Sequence, residues 1–469
     1  MPPKIRSLRA SANSGTSKDG AQQDNRLALV DHFFFSQHQA VGRKVVIQVV
    51  WIYQHPIDLD GVRRFQRTLG QGLLGRRIER SPLPFGRLRW VLDRGPSDFD
   101  ITENARPRDE LTDWADEHSQ LPIDPESGPG WRLGVLPLAD GSTAVSLTLS
   151  HYLLDGLGLV LALVDAVLGN TRDLGCPLPH ARTRLSAVAQ DAREAARDAP
   201  EVARAVVAAV KLARSARSAA NAAPSPASPP LAPHANQGDD AVVVPGISIY
   251  VDLGEWDARA KALGGTSNTL VAGFVAKLGD RLGRRRAADG AVTLQLPVNT
   301  RTEGDTRANA MAFATVRVDP SRVTTDLREV RSAVKQALTT LGEAPDESAQ
   351  ILPLVPFMPK WGMKRIADSI VGDPDFPVFY SNLGDLGSVV NRIDGTPSEY
   401  ATARVTAQDE TREWLERMGG QMTVQSFRLP GRIVVSVNAY QPGAENTKPA
   451  LRELAARTLA EFHLTGEVD

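Results

Sequence analysis

A single cysteine, Cys176, stands among 469 residues, which excludes an internal disulfide framework and any multi-cysteine metal site. One thiol fits a reducing, cytoplasmic compartment. Charge of one sign is also in short supply, with 54 Lys and Arg against 55 Asp and Glu for a formal net charge of −1. Without a basic excess, nucleic acid is excluded as the main partner. No apolar run is long enough to span a bilayer; even Leu153 to Leu168 is interrupted by Asp155, Gly156, Gly158 and Asp165. The patterns G-x-S-x-G, H-E-x-x-H and the P-loop are all missing, which removes serine hydrolase, zinc protease and nucleoside triphosphatase readings. "GQGLLG", Gly70 to Gly75, fits G-x-G-x-x-G but follows a helical pattern rather than a strand. Its glycines therefore read as a helix end.

What is present is the composition of a soluble globular chain, 42% apolar and 23% charged, too long for one ordinary core. Two similar lobes, or two to three domains, follow from the length. Residues 1–24, rich in Ser, Arg and Lys, read as a disordered tail, and 25–180 as an N-terminal lobe. In that lobe "KVVIQVVWIY" is a strand, "DLDGVRRFQRTLGQGLL" a helix, and "WRLGVLPL" and "TAVSLTLS" a hairpin around "ADGS". Ala and Arg dominate 181–222, where two crossover helices are expected, the second opening at Pro200. Val202, Val206, Ala209, Ala213 and Ala216 form a small-residue stripe there, with Arg204, Lys211 and Arg214 to another side. Such a helix can lie on an anionic membrane surface or lipid body as a peripheral contact, or pack on the protein through its stripe; the stripe has little area to bury in lipid, which favours packing. A Pro and Ser rich linker covers 223–241, and a C-terminal lobe 242–469. That second lobe repeats the alternation of strands and helices, with Ser267 as an expected N-cap and a hairpin turning at Pro430 and Gly431.

The stretch "TLSHYLLDGLGLVLAL", Thr148 to Leu163, places a histidine and an aspartate inside an apolar run. Burying either without a partner costs several kcal/mol, so each is paired or functional. Val145, Leu147, Leu149 and His151 share one face of the strand by period-two alternation, and a helix follows Gly156. A histidine near its free pKa can take a proton from an alcohol or amine as that group attacks an acyl carbonyl, then release it to the leaving thiolate. Asp155 is placed to pair with an arginine and hold the turn, while Gly156 permits close approach of the helix.

"HYLLDG" resembles the H-x-x-x-D-G signature of the chloramphenicol acetyltransferase-like acyltransferase superfamily. That superfamily includes peptide synthetase condensation domains, polyketide-associated acyltransferases and bacterial wax ester synthase/diacylglycerol acyltransferases. The resemblance runs from about Asp31 to Phe462 and is strongest to the last group, through "DHFFF", "FDITENARPRDELTDWADEHSQLPIDPESGPGWRLGVLPL", "DLGEWDARAKALGGTSNTLVAGFVAKL", "LQLPVNTR" and "FRLPGRIVVSVNAY". It implies an α/β (α+β) fold of two similar lobes, each a mixed sheet flanked by helices, with a channel between them. It implies His151 as the base, and Asp155, Gly156 and Arg301 of "PVNTR" as structural residues of the site. Ser150, and Asn382 and Gly384 of "YSNLGDLG", are the implied substrate contacts. The substrates would be acyl-CoA and a long-chain alcohol or acylglycerol hydroxyl, with no metal and no separate cofactor. Two departures stand out: Ser150 occupies the place of a first motif histidine, and "SNLGDLG" replaces the Asn-Val-Pro-Gly-Pro loop of wax synthases. They keep open a polyketide, glycolipid or carrier-bound acyl substrate, amide-forming condensation, and a member that binds ligand without turnover.

Overall fold

The computed structural model describes residues 24–222, 241–343, 349–371, 375 and 377–469. The expected tail and linker fall outside these residues, apart from Asp24 and Ala241. The first half builds α1 (Leu29–Ala40), β1 (Lys44–Tyr53), α2 (Leu59–Leu69), β2 (Arg76–Glu79), β3 (Arg89–Leu92), β4 (Asp100–Ile101), α3 (Leu111–Ser119), β5 (Trp131–Pro137), β6 (Thr143–Ser150) and α4 (Gly156–Leu168). A long helix, α5 (Arg184–Ala222), crosses over. Then come β7 (Gly246–Asp252), α6 (Leu253–Ala262), α7 (Ser267–Arg281), β8 (Val292–Asn299), β9 (Met311–Val318), α8 (Arg328–Glu343) and a 3-10 stretch, Ala349–Phe357. The chain closes with α9 (Lys360–Val371), β10 (Val378–Asp385), β11 (Tyr400–Gln408), α10 (Arg412–Arg417), β12 (Gln421–Leu429), β13 (Arg432–Tyr440), α11 (Lys448–Glu461) and β14 (Glu467–Val468).

Among the described residues these strands form two main mixed sheets, ordered β11-β1-β6-β5-β4 and β14-β7-β13-β12-β10-β8-β9, plus the β2-β3 hairpin. Each sheet has its own core. Trp51, Tyr53, Trp131, Leu147 and Leu149 pack against α2 and α4 in the first, while Ile249, Phe274, Val292, Val424 and Phe462 pack beneath α7 and α11 in the second. The lobes are not contiguous in sequence. β11 leaves the C-terminal half to pair antiparallel with β1, from Lys44 opposite Gln408 to Ile52 opposite Tyr400. A boundary at 242 therefore describes the seven-stranded sheet but cuts the five-stranded one, because edge pairing is a long-range contact that composition does not mark.

Three local expectations change. Pro200 lies inside one continuous helix rather than opening a second one. Its missing N–H removes a single bond, while Ala and Arg favour helix on both sides and Asp191, Glu194 and Asp198 tie the first half to Arg89, Arg182 and Arg26. α5 meets the 3-10 stretch through buried Ala205, with Val202, Ala209 and Leu212 half-buried, whereas Val206, Val207 and Val210 face solvent. α7 is capped by Thr266, not Ser267: the Thr266 hydroxyl accepts from the Thr269 N–H in a reciprocal capping box. The glycines of "GQGLLG" do end a helix. A Cβ on Gly70 would fall 2.1 Å from the Arg94 carbonyl oxygen, so only glycine fits there. No helix among the described residues is long and apolar enough to cross a membrane.

Buried histidines make the fold acid-sensitive. Burial lowers His32 and His118 to about 4 from an ordinary value of 6.5. Above pH 6.5 both states are neutral at these rings and stability does not depend on them. Between pH 6.5 and 4 the unfolded chain binds protons that the folded chain refuses, so each ring removes on the order of 1 kcal/mol per pH unit, and the loss levels off below pH 4. Urea midpoints measured at pH 7, 6 and 5 are expected to fall progressively; a midpoint unchanged at pH 5 would contradict neutral burial of these rings.

Candidate active site

β6 ends at Ser150, whose N–H donates to the Gly130 carbonyl at 2.9 Å, and the next N–H, that of His151, donates to the Val45 carbonyl at 3.0 Å. The chain then turns tightly into α4. Asp155 caps that helix by accepting from the Gly158 N–H at 2.7 Å. A Cβ on Gly156 would stand 2.7 Å from Leu383 Cδ2, so the start of α4 lies directly against the C-terminal end of β10.

The turn is fastened to the other lobe. Asp155 Oδ2 accepts from Arg301 Nη2 at 2.9 Å and from the Ala310 N–H at 2.8 Å, and the Asp155 N–H donates to the Ala308 carbonyl at 2.8 Å. Arg301 also donates to the carbonyls of Asp305, Arg307 and Ala308 at 3.0, 2.7 and 3.2 Å, which fold the β8–β9 loop around its guanidinium. Both side chains of the pair are about 3–4% exposed, so the charges depend on each other. A second carboxylate holds the same loop: Asp31 of α1 accepts from the N–H groups of Ala308 and Asn309 at 2.9 and 2.7 Å. Arg76 completes the seam, donating to the Thr306 carbonyl at 2.6 Å and the Leu153 carbonyl at 3.2 Å. Burial lowers Arg76 to about 10, which leaves it charged at neutral pH.

His151 sits at this seam, half-buried, with its ring 5.7 Å from that of Phe34 and Tyr152 beyond. Burial lowers its pKa, and its own carbonyl, the Asp155 charge and the Asn309 side chain oppose that shift. The ring is therefore neutral at pH 7, the form a base requires. Nδ1 is buried with no hydrogen-bond partner. His38 lies against Phe34 and is held well below its ordinary pKa by burial, so it adds no charge here.

No family model matches the sequence, and neither does any curated protein. Solved structures do. The first condensation domain of the CDA synthetase superposes with a TM-score of 0.52 at 13% identity, covering 96% of this chain and 100% of the other. The chain shares the two-lobed fold of that domain. Polyketide synthase associated protein 5 from Mycobacterium tuberculosis is similar at a TM-score of 0.51 and 15% identity, covering 93% of this chain and 96% of that one. Wax ester synthase/diacylglycerol acyltransferase from Marinobacter aquaeolei VT8 is similar at 0.51 and 15%, covering 93% and 98%.

On that scaffold His151, Asp155, Gly156 and Arg301 come together. Ser150 does not join them. Alternation puts it on the opposite face of β6, 2% exposed, with its hydroxyl accepting from the Tyr152 N–H at 3.4 Å. Asn382 lies in β10 beside the Tyr380 hydroxyl, its Oδ1 accepting from the Gly384 N–H at 2.8 Å, and Gly384 takes a φ of 79° that favours glycine. Leu383, between them in β10, meets the start of α4. Sequence reasoning passed over Asp31, Arg76 and Asn309. The only signal for Asp31 was a carboxylate in the first turn of the apolar helix "LVDHFFF".

Proposed function

We propose that the chain is an acyl-CoA-dependent O-acyltransferase that esterifies a long-chain alcohol or acylglycerol, with His151 as general base. The observation that carries this reading is a neutral imidazole at the lobe seam, its turn held by buried cross-lobe charges. In the proposed reaction Nε2 takes the proton of the acceptor hydroxyl as its oxygen attacks the thioester carbonyl. The C–S bond breaks from the tetrahedral intermediate, and the imidazolium returns the proton to the leaving thiolate. Backbone N–H groups or the Asn382 amide would stabilise the oxyanion.

The test is incubation with palmitoyl-CoA and a thiol reagent that reports free CoA, with hexadecanol, dipalmitoylglycerol or no acceptor. Alcohol-dependent release is expected; release that ignores the alcohol, or none, would remove the reading. The rate should be flat from pH 8 down past 6.5, because the base is competent when neutral and its pKa is lowered by burial. It should fall only as the pH drops through that lowered value. An acid limb above pH 6.5 would contradict His151 as the base.

A further inference from the structure

Asp31, Phe34 and His38 follow one another in α1 at helical spacing, i, i+3 and i+7, and so share one face of that helix. Asp31 ties this face to the β8–β9 loop, accepting from the N–H groups of Ala308 and Asn309 at 2.9 and 2.7 Å. One turn further on, the Phe34 ring meets three others. Its centroid lies 4.5 Å from that of His38, 5.7 Å from that of His151 and 5.9 Å from that of Tyr152, with interplanar angles of 65°, 56° and 61°. These are the tilted and edge-to-face arrangements that aromatic pairs prefer. Among the described residues Phe34 is the one aromatic ring against His151. Tyr152 is itself fixed, because its hydroxyl donates to the Arg43 carbonyl at 2.9 Å, accepts from the Val45 N–H at 3.4 Å, and its ring packs on Phe35 at 5.3 Å. Phe34 is therefore held through Asp31 on one side and through Tyr152 on the other.

We infer that Phe34 is a positioning residue for His151: its ring lies against the imidazole, sets the plane of that ring at the seam and keeps water from it. This rests on the proposed role of His151 as base. A base must already be aimed when the acceptor arrives, and an imidazole free to turn about its side-chain bonds seldom holds the productive geometry. Phe34 has neither charge nor polar side-chain atoms, so it acts on the base only through contact and the exclusion of water. The polar groups that face the imidazole come from elsewhere: the Asp155 carboxylate at the start of α4, the Asn309 amide in the β8–β9 loop and the histidine's own carbonyl. On α1, His38 is neutral, and the Arg43 charge bears on His38 and Tyr152. A change at Phe34 leaves all of these in place. What should respond is the burial that holds the imidazole below its ordinary value.

The experiment is an NMR pH titration of the full chain with 13C-labelled histidine, His151 being assigned by the resonance lost in His151→Gln, beside kinetics of Phe34→Ala and Phe34→Leu. His151 of the unaltered protein is expected to titrate below 6.5. In Phe34→Ala its midpoint should rise toward the ordinary value by at least about 0.5 pH, and the acid limb of kcat should rise with it, because water then reaches the charged form. At pH 7.5 the ring is neutral in both proteins, yet kcat should fall at least about fivefold with KM within about twofold, since aim rather than binding is lost. Phe34→Leu keeps apolar cover without the flat ring, so its midpoint should stay near the unaltered one while kcat falls; it also carries the test if the alanine variant does not fold. An unchanged His151 midpoint in folded Phe34→Ala, an unchanged kcat in folded Phe34→Leu, or a loss confined to KM would overturn the assignment. Failure of the base reading shows separately as an active His151→Ala, and the titration then still decides whether Phe34 covers the ring.

Discussion

Alanine at position 151 is expected to lower alcohol-dependent CoA release by at least about 100-fold, within the range that a positioned general base contributes. The loss should appear in kcat. Stability should change little, because the ring is half-buried and its Nδ1 has no hydrogen-bond partner; removing its contact with Phe34 at 5.7 Å costs about 1 kcal/mol. The Asp155, Arg301 and Asp31 contacts pass through the neighbouring turn and the β8–β9 loop, so the seam should survive. The measurement pairs a thermal melt with the coupled thiol assay on the same purified protein. A folded variant that transfers acyl groups at the unaltered rate would show that the base is elsewhere.

What the sequence made legible is what short-range periodicity encodes. The β5–β6 hairpin, the strand-to-helix turn carrying "HYLLDG" and the helix after it are each set within a dozen residues, so alternation and turn chemistry were enough to place them. Arg301 was reached through resemblance, 146 positions from Asp155. Asp31 and Asn309 were not, because their partnership spans 278 positions and leaves no local pattern. β11 escaped for a related reason. "YATARVTAQ" alternates alanine with polar residues, which is weak strand chemistry on its own, and its place beside β1 is decided by edge pairing and by Arg404, which donates to Gln48 at 2.7 Å and pairs with Asp116 at 2.6 Å. Ser150 shows the opposite case. Its position next to His151 suggested a shared site, yet period two turns adjacent residues to opposite faces.

Asn at position 155 is expected to damage the fold more than the chemistry. The carboxylate faces three donors: the Gly158 N–H at 2.7 Å on Oδ1, and the Ala310 N–H at 2.8 Å and Arg301 Nη2 at 2.9 Å on Oδ2. An amide keeps one acceptor and points its NH2 at a donor in either orientation. Turned toward Gly158, it loses the helix cap, worth about 1 kcal/mol. Turned the other way, it sets NH2 against a guanidinium. Either way Arg301 keeps a buried charge with no counter-ion, and breaking such a pair from one side costs about 3–5 kcal/mol. The expected result is a loss of that size in the urea midpoint, with kcat of the remaining folded protein falling less than in His151→Ala. Removing both charges should not rescue the fold: in an Asp155→Leu, Arg301→Met double variant the N–H groups of Gly158 and Ala310 and the carbonyls around residue 301 stay buried and lose their partners. A double variant as stable as the unaltered chain would mean that the pair itself, rather than the backbone it satisfies, had been the source of the loss. Asp155→Asn melting within about 1 kcal/mol of the unaltered chain would contradict the whole account of the seam.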